Sequence, residues 1–158
     1  MQIRPYRPDD APAIAELSIA AWAPVFQSFE QVLGRGIFLR LYPDWQAAQR
    51  NVVLDYCSRE STSTWVAEID GMLAGFIVYS CNMETLEGEV ELLAVHPDAQ
   101  NAGTGTALNE FALARMKENG MTLAAVATGG DPGHAPARRS YEKAGYTPFP
   151  QVRYYKLL

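Results

Sequence analysis

Val95-His96-Pro97-Asp98-Ala99-Gln100-Asn101-Ala102-Gly103-Thr104-Gly105-Thr106 carries the strongest local signal in the chain. Residues 89–95 before it read as a strand. A helical pattern follows to about residue 118, with Leu108, Phe111, Ala112 and Met116 on its buried face. Glycines two apart in a strand-to-helix turn let backbone N–H groups face outward with no Cβ in the way. The helix N-terminus adds unpaired N–H groups and partial positive charge. Together they predict a nest for a phosphate or pyrophosphate. Rival phosphate motifs fit less well. A Walker loop needs Gly-Lys-Ser/Thr, whereas Thr106-Ala107 follows Gly105. A dinucleotide fingerprint wants Gly or Ala where Leu108 stands.

Working outward, residues 2–7 read as a strand ended by Pro8, and Asp9 and Asp10 suit a helix start. Ile14, Leu17, Ala21 and Trp22 recur at helical spacing. Residues 24–42 are aromatic and interrupted, and read as a second short helix and a loop. Pro43-Asp44-Trp45 opens a helix to about residue 59. Residues 64–69 and 73–80 are strands joined by the hairpin signal Asp70-Gly71. Beyond the helix after Gly103, residues 122–127 read as a strand and 136–144 as a helix stopped by Gly145. Residues 146–149 and 152–157 read as two last strands separated by Pro150. The pattern is one mixed α/β domain over 1–158, without repeats or linkers.

Composition supports a single packed domain. The chain has 158 residues, of which 48% are hydrophobic and 20% charged. Thirteen Lys and Arg against 18 Asp and Glu leave a net charge of −5, which argues against nucleic acid as a partner. Two cysteines, Cys57 and Cys81, and two histidines predict neither a disulfide framework nor a metal site. No run of about 18 apolar residues predicts a membrane span. The N-terminus lacks the apolar core of a signal peptide, so a cytoplasmic protein is expected.

A second motif lies further on: Ala137-Arg138-Arg139-Ser140-Tyr141-Glu142-Lys143-Ala144-Gly145-Tyr146. It resembles the "A-x-x-x-Y-E-K-x-G-F" segment of the GNAT superfamily of N-acetyltransferases. Gln100-x-x-Gly103-x-Gly105, led in by Val95-His96-Pro97, resembles that family's acyl-CoA-binding signature. The resemblance covers essentially the whole chain, most strongly from about residue 64 onward. It implies the GNAT (acyl-CoA N-acyltransferase) fold, a mixed central sheet with two splayed parallel strands and flanking helices. Two departures stand out. Ala102 occupies a position where many members have Lys or Arg. His134 stands where an Asn commonly contacts the cofactor arm, and it either takes over that contact or acts in proton transfer.

The resemblance further implies acetyl-CoA as co-substrate, bound between residues 89–95 and 122–127. The backbone at Leu93, Ala94 and Val95 would hold the pantetheine arm, and an N–H there would stabilise the oxyanion. Gln100, Asn101, Ala102, Gly103, Thr104, Gly105 and Thr106 would receive the pyrophosphate, with His134, Ala137 and Arg138 as further cofactor contacts. Tyr141 would protonate the departing thiolate or steady its sulfur. A lysine-like acceptor amine has a pKa near 10.4, so holding it neutral at pH 7 costs about 4–5 kcal/mol. Glu89 and Glu91, two apart on one strand face, are the candidate bases, and Glu89 stands where several members place one.

The acceptor pocket would draw on the aromatic residues Trp22, Phe26 and Tyr154, with Phe29, Tyr42, Trp45 and Tyr155 nearby in sequence. Such walls suit an apolar amine or cation–π contact with an ammonium. A small-molecule amine is therefore expected. A protein lysine or N-terminus, a non-catalytic acyl-CoA-binding module, and an unrelated nucleotide binder are the alternatives. Family members are often dimers, so a homodimer is a further expectation.

Overall fold

Antiparallel pairing carries the chain from β1 to β4, and one parallel pair then closes the sheet. The computed structural model describes residues 1–158. Its elements are β1 (Gln2–Pro5), α1 (Ala11–Leu33), α2 (Arg35–Leu41), α3 (Trp45–Ser58), β2 (Thr62–Ile69), β3 (Met72–Asn82), β4 (Glu87–Val95), α4 (Thr104–Glu118), β5 (Leu123–Val126) and α5 (Ala135–Lys143). The five strands lie in the order β1-β2-β3-β4-β5, with only β4 and β5 parallel.

Both faces of the sheet are covered, which is why β3 reads as a continuous apolar run rather than an alternation. Ile77, Tyr79 and Val90 pack on one face under Leu108, Ala112 and Met116 of α4. Phe76, Val78 and Ala94 pack on the other under Ile14 and Leu17 of α1 and Val53 of α3. Each fully buried Val, Leu, Ile, Phe or Met among them contributes roughly 1.5–3 kcal/mol. A polar clamp fixes the N-terminal edge. Arg4 donates from Nη1 and Nη2 to Asp10 at 2.8 and 2.9 Å, and from Nε to Glu68 at 2.8 Å. The Arg4 guanidinium holds the Asp10 carboxyl below the usual carboxylate range, against the opposing effect of burial.

Two elements differ from the sequence reading. A single helix runs to Leu33, through Pro24, where an interruption was expected. Pro24 forfeits one helical hydrogen bond. However, it lies on the exposed side, while Phe26 and Ser28 beyond it are buried and hold the helix in line. Gly34, at φ 75°, ends the helix. The two expected last strands do not form, and residues 146–158 carry no regular structure. Pro148 and Pro150 lack the N–H groups a ladder needs and interrupt the first of those strands, whereas 152–157 contains no proline. The tail instead folds back on α2, where Ile37, Arg40, Leu41, Tyr155 and Leu157 border an open cavity of about 570 Å³. No helix is long and apolar enough to cross a membrane. No group of three His, Cys, Asp or Glu is placed to hold a metal ion.

Candidate active site

β4 pairs with β5 only from Glu87 to Val90, opposite Leu123 to Val126. Beyond that, Leu92 to Val95 pair with β3 alone, so their groups on the other side have no strand partner. The cause lies in one residue. Val78 of β3 faces Leu92 and Tyr79 faces Val90, leaving Glu91 as the extra residue of a β-bulge. A bulge bends its strand and sharpens the twist. It therefore steers β4 away from β5 where the parallel pairing stops. Past Val90, the β4 edge away from β3 is therefore without a strand partner, with the Val95 carbonyl taken by Gln100. Nothing in the sequence around Glu91 marks the bulge.

β4 runs into the glycine turn. Gln100 Nε2 donates to the Val95 carbonyl at 3.1 Å and ties the turn back to the strand. Asn101 sits at φ 61° and Gly103 at φ 85°, both left-handed. A Cβ on Gly103 would meet nothing, so glycine is needed there for its dihedral rather than for space. Gly103 caps α4, and the first intrahelical bond runs from the Ala107 N–H to its carbonyl at 3.0 Å. The N–H groups of Thr104, Gly105 and Thr106 thus lack helical partners, and no side chain caps them. Thr104 is buried, with its Oγ1 unpartnered, while Asn101 and Ala102 are exposed. These free donors and the unpaired β4 edge fit a chain-like ligand ending in a pyrophosphate.

α5 places the second motif beside α4. Tyr146 donates from its hydroxyl to Asn109 Oδ1 of α4 at 3.4 Å, and its ring stands edge-on to Tyr141 at 5.7 Å. The Tyr141 hydroxyl makes no protein hydrogen bond, yet it is not sealed in the interior. Burial, with the neighbouring Tyr146, pushes its phenol up to about 12. Arg138 donates from Nη1 to the carbonyls of Gly129 at 2.5 Å and Asp131 at 2.8 Å, so it holds the loop before α5. Ala137 is half-buried beside it.

The same loop contains a cluster that sequence reading reached only through His134. His134 Nδ1 lies 2.5 Å from Asp131 Oδ1. Asp131 Oδ2 accepts from Ser28 Oγ of α1 at 2.7 Å and from the Gly133 N–H at 2.9 Å. Burial alone would raise the Asp131 carboxyl; the hydrogen bonds from Ser28 and His134 outweigh it and hold the group below its usual range. Two glycines make the approach possible. A Cβ on Gly129 would fall 2.4 Å from Asp131 Oδ1, and one on Gly133 would fall 2.7 Å from Ser28 Cβ. The spacing Gly129-x-Asp131-x-Gly133-His134 was the available signal for Asp131, whereas Ser28, a hundred residues away, left none.

Glu89 and Glu91 share the sheet face under α1 and α3. Ser80, which follows Phe76 and Val78 on that face, pairs with Glu89 and donates to Glu91 Oε1 at 2.8 Å. Burial, followed by the charges of Glu91 and Glu87, raises the Glu89 carboxyl above its ordinary value. Glu91 opens onto a polar groove of about 570 Å³ bordered by Arg59, Thr62, Ser80, Asn82 and Glu84.

Of the three expected aromatic walls, Phe26 joins a packed cluster, stacked on Trp45 at 4.4 Å and edge-on to Phe29 and Tyr42. Trp22 packs on the core formed with Ile14 and Phe76. Tyr154 stands 89% exposed on the tail. Phe29 completes the link to the loop, with its ring 5.5 Å from His134.

The family model for the acetyltransferase (GNAT) family matches residues 27–146, and the chain belongs to that family. Among curated relatives, a mycothiol acetyltransferase of Thermomonospora curvata is 36% identical over 83 residues, covering 52% of this chain and 27% of the relative. The chain thus spans only about a quarter of that relative's length. An aminoglycoside antibiotic 6'-N-acetyltransferase from Acinetobacter haemolyticus has the same fold, with a TM-score of 0.70 at 16% identity over 100% of this chain and 99% of that one. So does a ribosomal-protein-alanine N-acetyltransferase from Brucella melitensis biovar Abortus 2308, with a TM-score of 0.68 at 17% identity over 99% and 100%.

Proposed function

We propose that this protein transfers the acetyl group of acetyl-CoA to a primary amine on a small molecule. One observation carries the reading: the unpaired edge of β4 leads directly into the uncapped N-terminus of α4. The first accepts an extended amide-bearing arm by strand-like pairing, and the second accepts a pyrophosphate. Membership in an acetyltransferase family supports acetyl-CoA as the ligand that spans both.

The chain's own groups then divide the work. Glu89 and Glu91, on one face of β4, attract and hold the acceptor ammonium. A free N–H on the β4 edge faces the oxygen that becomes anionic when the amine nitrogen attacks the thioester carbon. As the carbon–sulfur bond breaks, the Tyr141 phenol, protonated at neutral pH, donates to the thiolate.

A small amine is favoured over a protein by the packed aromatic cluster of Phe26, Phe29, Tyr42 and Trp45, which fills the α1–α3 side where a polypeptide would need open ground. The similarity to an enzyme named for mycothiol supports the same choice. The structural neighbours named for an antibiotic and for a ribosomal protein share the fold equally well and do not separate the two. Calorimetric titration with acetyl-CoA, with CoA and ATP as controls, tests the first half. Saturable one-site binding that ATP does not reproduce is expected, and equal binding of ATP would overturn the reading. A panel of small amines against peptides tests the second, with turnover confined to small amines expected.

A further inference from the structure

We infer that His134 is the proton acceptor for the reacting nitrogen, and that Asp131 and Ser28 are positioning residues that fix its ring. The inference rests on the acetyl-transfer reading above and adds to it the group that removes the proton. Three observations support it. First, the ring is held at one nitrogen only. Nδ1 is engaged by Asp131, while Nε2 has no protein partner and is not sealed away. Second, the holder is itself held. The Asp131 side chain is 8% exposed, and it accepts from Ser28 Oγ and the Gly133 N–H. Gly133 N also donates to Ser28 Oγ at 2.9 Å, closing a ring of contacts between α1 and the loop. Third, the ring connects two parts of the site on the proposed reading. His134 opens the segment that carries Tyr141, and its ring lies against Phe29 of the aromatic cluster.

An ionised Asp131 accepts a hydrogen bond but cannot donate one, so the neutral imidazole carries its proton on Nδ1 and presents Nε2 as a lone-pair acceptor. The charged groups around the ring are few. Asp131 faces it from the loop, Arg138 of α5 is spent on the carbonyls of Gly129 and Asp131, and α1 brings Ser28 and Phe29.

The step balances. A proton passes from the substrate ammonium to Nε2, and the imidazolium is stabilised by the Asp131 carboxylate. The freed lone pair forms the nitrogen–carbon bond to the thioester carbonyl, and the carbon–sulfur bond breaks. The nitrogen's second proton and the Tyr141 proton exchange so that CoA leaves as a thiol and the phenol is restored. His134 returns its proton to solvent, so each turnover releases one proton. As a class, an imidazole is a better matched acceptor for an ammonium near pH 7 than a carboxylate, whose ordinary value lies about two units lower.

The test is His134→Asn, which keeps a polar side chain of similar reach but removes the imidazole. Asn can still contact a cofactor arm but cannot accept the proton. After wild-type turnover of a small amine is established, the variant is expected to bind acetyl-CoA calorimetrically within about threefold of wild type while kcat falls about 100-fold or more. The limb of kcat that rises with pH should vanish with it. Ser28→Ala, which loosens Asp131, should displace that limb without abolishing it. A His134→Asn variant with wild-type kcat and an unchanged pH profile would overturn the inference and leave acetyl transfer standing. A wild-type protein that binds acetyl-CoA but acetylates no amine would overturn acetyl transfer, and this inference with it. Imidazole nitrogen NMR gives a readout independent of turnover. At a pH where the ring is neutral, protonation at Nδ1 is expected, and a neutral ring protonated at Nε2 would refute the proposed acceptor.

Discussion

Replacing Tyr141 by Phe removes a single oxygen whose surroundings set what its loss can do. The hydroxyl is without a protein partner, and burial pushes its phenol from 10.0 up to about 12. That rise of about two units corresponds to roughly 3 kcal/mol against the phenolate. At pH 7 the group is thus a neutral donor with its proton in place. The sign for folding follows. A raised native value favours the protonated folded state, so its contribution is complete below about pH 10 and is lost as pH climbs toward about 12. Because no protein hydrogen bond is broken, Tyr141→Phe should change unfolding free energy by less than about 1 kcal/mol. The catalytic loss should be far larger, about 100-fold to 10,000-fold in kcat, or roughly 3–5 kcal/mol in the transition state. The assay follows thiol release from acetyl-CoA with a saturating amine, alongside calorimetric acetyl-CoA affinity and thermal unfolding. Wild-type kcat in a folded variant would make Tyr141 a packing residue. Lost affinity with unchanged kcat would make it a cofactor contact, and either result refutes its role as an acid.

Gly103→Val should raise the acetyl-CoA dissociation constant about tenfold or more, because φ 85° is strained for a β-branched residue by roughly 1–3 kcal/mol. Gly103→Asn should cost less, and calorimetry that finds Val and wild type equal would place the phosphate elsewhere. Glu89→Gln should raise KM for the amine about tenfold while kcat changes less than about threefold, the signature of lost ground-state binding. A dominant fall in kcat would instead make Glu89 the base and displace His134 from that role. Asp10→Asn should cost about 3 kcal/mol in denaturant unfolding by breaking its pair with Arg4. In wild type that contribution is present above the unfolded carboxyl's ordinary value and fades as pH falls through the lowered native one, so stability that does not decline with acid would refute the coupling.

The glycine turn before α4 was legible because its determinants are local. A glycine in the left-handed region and the free helix N–H groups that follow it are set by residues within a few positions of one another. The succession of elements from β2 to β5 was legible for the same reason, since the Asp70-Gly71 hairpin and the strand–helix–strand run from β4 to β5 are short-range patterns. What escaped was non-local or energetic. Pro24 looked like a break because its cost is written in the sequence, whereas the burial of Phe26 and Ser28 that offsets it is not. The tail alternates like a strand, yet prolines interrupt its first part and its last residues lie against α2, a contact no local pattern announces. The bulge at Glu91 is a property of two strands, and neither one alone announces it.

The same distinction explains why the acceptor side was harder to read, and it bears on the chemistry. On the proposed reading the cofactor is held largely by backbone groups of β4 and the α4 N-terminus, which the local glycine turn sets up. On the same reading the acceptor is met by side chains from α1, α3, β4 and the loop before α5, which are far apart in sequence. Ser28 and Asp131 are separated by more than 100 positions yet lie 2.7 Å apart at their oxygens. Gly129 and Gly133 have no room for a side chain, because a Cβ on either would collide with Asp131, His134 or Ser28. Those two glycines are therefore the local trace of a non-local site. Gly133→Ala should separate the loop from α1, weaken Ser28's grip on Asp131 and reproduce part of the Ser28→Ala effect on the pH profile.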